Sequence, residues 1–114
     1  MLVIEPDELI RQLLCEWLAE AGYAVEVQSA SGRRSAVAPD LVILNVPRVA
    51  GFQAAESLGE GNTAPVLAIS ARFRRGLGSS AATARRLGVH RVLPKPFTRE
   101  ELLQAVAESL QRPR

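Results

Sequence analysis

Short aliphatic runs alternate with helix-patterned segments along the whole chain, and this alternation limits the possible fold more than any other feature of the sequence. Residues 2–4 form a brief β-branched run. Leu9, Ile10, Leu13, Leu14, Trp17, Leu18 and Ala21 follow at helical spacing, and Gly22 stands where a left-handed helix stop is wanted. Residues 23–29 read as a strand, and 31–38 as a short helix ended by Pro39. The runs 41–46 and 65–70 are almost continuously aliphatic, as in strands covered on both faces. Residues 51–60 lie between them as a helix. Ser79 or Ser80 can cap a helix running to Leu87, with Gly88 as its stop. Residues 89–93 make the last strand. Thr98 and Glu101 then have the spacing of a capping box, ahead of a helix with Leu102, Leu103, Val106 and Leu110 on its buried stripe.

Strands that alternate with helices pair in parallel, because each parallel connection needs a crossover. The expected fold is therefore α/β, a doubly wound five-stranded parallel sheet with helices on both faces. Such sheets place their functional crevice at the carboxyl ends of the strands, where strand order reverses. The residues at those ends are Glu5, Pro6, Asn45, Ser70 and Lys95.

Composition narrows the classes of function. A chain of 114 residues, 47% of them hydrophobic, suits one domain spanning 1–114. No apolar run reaches bilayer-spanning length and no secretory leader is visible, so a soluble cytoplasmic protein is expected. The lone Cys15 can form neither an internal disulfide nor a zinc site and reads as a core residue. Net charge is only +2, yet Lys95 is the sole lysine, and Arg72, Arg74, Arg75, Arg85, Arg86 and Arg91 cluster. Such a surface suits an acidic protein partner or nucleic acid. The aromatic residues are not interleaved with it, so a base-stacking platform is not expected. His90 reads as a surface residue beside the last strand.

The strand-end motifs run in order: Val3-Ile4-Glu5-Pro6-Asp7, Pro39-Asp40-Leu41-Val42-Ile43-Leu44-Asn45, Pro65-Val66-Leu67-Ala68-Ile69-Ser70-Ala71 and Leu93-Pro94-Lys95-Pro96-Phe97. Together they resemble the receiver domain of two-component response regulators over nearly the whole chain. The resemblance implies a flavodoxin-like sheet of order 2-1-3-4-5 and a cis peptide bond before Pro96. It also implies a pocket in which an aspartate at position 45 attacks a phosphoryl donor. Carboxylates there hold Mg²⁺, and a hydroxyl at position 70 and the lysine at position 95 meet the phosphoryl oxygens.

The chain departs from that pattern where the chemistry lies. A carboxylate can attack phosphorus, but Asn45 offers a neutral amide, a weak nucleophile. Pro6 stands where the resemblance places a metal-binding acid, and only Glu5 keeps its acidic position. Mg²⁺ demands an oxygen shell and dehydrates reluctantly, so neither metal nor cofactor is expected. The loop from Asn45 to Gly51 is shorter than the family's. Val92 takes the place of its aromatic switch. Lys95 is expected to pair with Glu5 or hydrogen-bond Asn45, and Ser70 to be a satisfied hydroxyl. The resulting expectation is a catalytically silent pseudo-receiver in phosphorelay-type signalling. Its fourth helix, fifth strand and fifth helix, with Arg85, Arg86, Arg91 and Val92, would dock a signalling protein or a second copy. Two alternatives stay open: a residual phosphoacceptor using Asp7 or Glu5, and a small nucleic-acid-binding protein using the arginine cluster.

Overall fold

Each aliphatic run becomes a strand because its side chains have apolar neighbours to meet on both sides. The computed structural model describes residues 1–27, 39–47, 53, 58, 63–70 and 79–111. Within these, the strands are β1 (Leu2–Ile4), β2 (Glu26–Val27), β3 (Val42–Asn45), β4 (Val66–Ser70) and β5 (Arg91–Pro94). The helices are α1 (Glu8–Glu20), α2 (Ser79–Leu87) and α3 (Arg99–Leu110). All neighbouring strands pair in parallel, in the order β2-β1-β3-β4-β5. The expected helices at 31–38 and 51–60, the shortened loop after Asn45 and the arginines at 72–75 lie largely or wholly outside the described residues.

Side chains alternate between the faces of a strand, and the sheet sorts its aliphatic residues accordingly. Leu2, Val42, Leu44, Val66, Ala68 and Val92 point to one side and pack with Ala84, Leu87 and Val89 from α2 and the turn after it. Val3, Ile43, Leu67, Ile69 and Leu93 point to the other, against Leu14 and Leu18 of α1 and Leu102, Ala105 and Val106 of α3. Burying one such large aliphatic side chain contributes about 1.5–3 kcal/mol.

The helix ends follow the local signals. Asp7 caps α1, its Oδ1 accepting from the Ile10 amide at 3.1 Å. Gly22 adopts φ 95° and Gly88 φ 74° after α1 and α2, conformations that cost residues with a side chain more than glycine. Thr98 and Glu101 form the expected reciprocal capping box, a cap that contributes about 1 kcal/mol. Helix α2 runs from Ser79 to Leu87, with Gly88 after it as the sequence signals.

Other expectations are corrected in detail. Tyr23 to Val25 lie outside β2, and the last strand begins at Arg91 rather than at position 89. Leu9, expected on the buried stripe of α1, is 67% exposed. On α3 the stripe runs through Leu102, Ala105, Val106 and Ser109, leaving Leu110 on the surface. Cys15 is half-buried, and desolvation pushes its thiol pKa up, so it is a poor nucleophile. His90 is exposed and fixed in place: its backbone amide donates to the Val66 carbonyl, and its Nδ1 accepts from the Val66 amide at 3.1 Å.

Candidate functional site

Strand order reverses between β1 and β3, because the chain leaves β1 outward to β2 and returns to the far side at β3. The crevice at this switch point lies beyond the carboxyl ends of both strands. Glu5 immediately follows β1 and Asn45 closes β3, so the topology alone brings them together. Lys95 immediately follows β5, and its backbone amide donates to the Ser70 carbonyl at the end of β4 at 3.0 Å. Its side chain reaches back toward the ends of β1 and β3.

Lys95 Nζ donates to Glu5 Oε1 at 2.8 Å and to Asn45 Oδ1 at 2.8 Å. The sequence left these contacts as alternatives, and the structure makes both. The Glu5 side chain is 1% exposed and that of Lys95 15%, so the ion pair is largely shielded from water. Glu5 is further held in place. Its Oε2 accepts from the Asp7 amide at 3.0 Å, and its carbonyl accepts from Arg11 Nη1 at 3.2 Å. Ser70 is buried at the end of β4. Pro6 is exposed and begins the turn into α1. The bond between Lys95 and Pro96 is cis, as the resemblance implies.

The divalent metal that the resemblance implies does not fit these residues. Both Glu5 carboxylate oxygens are engaged, one by an ammonium and one by an amide. Asn45 Oδ1 accepts from the same ammonium, and Pro6 has no side-chain oxygen. Among the described residues, no group of three or more His, Cys, Asp or Glu gathers to hold a metal ion. Of the two substitute acceptors weighed above, Asp7 caps α1 through Oδ1 and Glu5 is paired with Lys95.

Sequence reasoning missed Arg11 as a clamp on the pocket and missed a neighbouring apolar groove of about 370 Å³. Ile10, Leu13 and Trp17 line it from α1, with Lys95, Pro96 and Phe97 opposite. Trp17 and Phe97 meet edge to face with centroids 6.4 Å apart.

The expected interaction face is partly changed by the structure. Arg85 and Arg86 are exposed near the end of α2. Arg91 pairs with Glu108 of α3 at 3.2 Å. Val92 is only 8% exposed and packs beneath this face, so it belongs to the core and not to the surface. Among the described residues, no helix is long and apolar enough to cross a membrane.

Comparison with known proteins agrees with this fold. The response regulator receiver domain family matches residues 1–107. The transcriptional regulatory protein PdtaR of Mycobacterium tuberculosis is 32% identical over 119 residues, a match covering 98% of this chain and 57% of that protein. The response regulator MprA of the same organism is 33% identical, covering 98% of this chain and 50% of that one. This chain therefore spans about half the length of these curated relatives. Among solved structures, the non-phosphorylated HemR receiver domain from Leptospira biflexa superposes with a TM-score of 0.72 at 28% identity, covering 99% of this chain and 94% of that one. A response regulator protein from Burkholderia multivorans is 30% identical at a TM-score of 0.59, with coverage of 99% and 94%.

Proposed function

We propose that this chain, which belongs to the response regulator receiver family, is a pseudo-receiver that takes up no phosphoryl group and signals through protein–protein contact. The observation that carries this reading is the position of Lys95. Its ammonium is shared between Glu5 and Asn45, and so fills the space between the acidic position and the residue standing for the acceptor. Phosphoryl transfer relies on a nucleophile and on cations that neutralise developing charge. Here the nucleophile is an amide, and the remaining carboxylate is already neutralised by the chain's own lysine.

With its chemistry silent, such a domain acts through its surface. The docking face in this reading is built by α2, β5 and α3, and its basic contacts are Arg85 and Arg86, both exposed in the last turn of α2. Its partner is an acidic surface on a signalling protein or on a second copy of the chain, in the cytoplasm. Like-charge juxtaposition across an interface costs several kcal/mol. Reversing both charges, Arg85→Glu with Arg86→Glu, is therefore expected to weaken binding to a captured partner, or self-association, by about tenfold or more. A small phosphodonor with Mg²⁺ should leave the native affinity unchanged. Binding that ignores the charge reversal would place the interface elsewhere, and binding that responds to the donor would contradict the reading.

A further inference from the structure

The pocket joins three groups whose combined chemistry is different from phosphorylation. A lysine amine lies against an asparagine carboxamide, with a carboxylate touching the same amine. Lys95 Nζ is 2.8 Å from Asn45 Oδ1 and 2.8 Å from Glu5 Oε1. The carboxylate is almost wholly withdrawn from water, at 1% side-chain exposure, and is held from its other side by the Asp7 amide. Withdrawing this carboxylate from water strengthens its electrostatic effect on the amine it touches. The amine and the carboxamide are also delivered by rigid neighbouring elements, Asn45 by β3 and Lys95 by the end of β5. Holding two reacting groups in contact removes much of the entropy cost of bringing them together.

We propose that Lys95 and Asn45 form an intramolecular isopeptide bond, with Glu5 as the proton carrier. Glu5 accepts one proton from the Lys95 ammonium, and the neutral amine attacks Cγ of Asn45. The new bond is Nζ–Cγ and the broken bond is Cγ–Nδ2. Glu5 passes its proton to Nδ2 and takes the second proton released from Nζ, so that ammonia leaves. The products are a secondary amide, a protonated Glu5 carboxyl and one molecule of ammonia. No oxidant, metal or external reagent is needed, and the overall charge is unchanged. The reaction replaces a buried charge pair, which is costly to keep from water, with neutral groups that can hydrogen-bond to each other. It requires an asparagine at position 45, because an ionised aspartate carries no comparable leaving group.

The test is the intact mass of the purified chain, measured under denaturing conditions after prolonged incubation in the folded state. A lysine amine that has displaced ammonia leaves the chain about 17 Da below its sequence mass. Proteolysis should then yield one branched peptide joining residues 45 and 95. Lys95→Arg and Glu5→Gln should each restore the sequence mass. The branched peptide is sought in the native chain itself, so poor folding of a variant does not remove the test. A native chain at its sequence mass overturns the proposal. So does a gain of about 1 Da from simple deamidation, or a loss of ammonia that persists in Lys95→Arg. Such a failure leaves the interaction module untouched, because that reading is judged by phosphodonor and partner binding.

Discussion

Relative to the native chain with no Lys95–Asn45 bond formed, replacing Lys95 with methionine is expected to lower the free energy of unfolding by about 3–5 kcal/mol, the usual cost of leaving one member of a buried ion pair without its partner. The Glu5 side chain is 1% exposed. Without the ammonium, its carboxylate would keep only the Asp7 amide as a donor among the contacts described above. The loss comes from the stranded charge more than from the missing attraction. A second substitution that removes the charge, Glu5→Leu in the Lys95→Met background, should therefore recover much of the stability. Urea unfolding of the single and double variants measures both effects. A loss below about 1 kcal/mol would match an exposed pair and contradict the shielding seen here.

The second large effect concerns metal. A ligand that binds only the folded state stabilises it by about 2.7 kcal/mol at one hundred times its dissociation constant. For the native chain, the unfolding midpoint is expected not to move between metal-free buffer and millimolar Mg²⁺. In a variant with both Pro6→Asp and Asn45→Asp, two carboxylates return beside Glu5, and a Mg²⁺-dependent rise in midpoint should appear. A rise in the native chain would show that the ammonium of Lys95 yields its place to a metal. That result would remove the strongest support for a silent pocket.

Much of this architecture was legible because parallel sheets write themselves into sequence as aliphatic runs. The runs at 41–46 and 65–70 contain β3 and β4, and Gly22, Gly88 and the Thr98–Glu101 pair marked helix boundaries. The pocket was also legible, since its residues sit at strand ends and Lys95 had few acidic partners within reach.

Periodicity could not show how much of a helix its neighbours cover. The stripe on α1 gave Leu9 and Leu14 the same status, yet Leu14 is sealed in the core and Leu9 is 67% exposed. Val92 illustrates the converse. Family position put it on a docking face, but strand alternation turns it inward toward α2. The groove beside Trp17 was hidden because it depends on where Pro96 and Phe97 settle after β5.

The most direct test of the silent pocket is to incubate the native chain with Mg²⁺ and a small phosphodonor, beside an Asn45→Asp variant, and to compare intact masses. The account predicts no phosphoryl adduct on either chain, because Pro6 and the Glu5–Lys95 pair still deny the metal its site when the nucleophile is restored. An adduct confined to the variant would place the defect in Asn45 alone and contradict the argument about the metal. An adduct on the native chain would contradict the central claim.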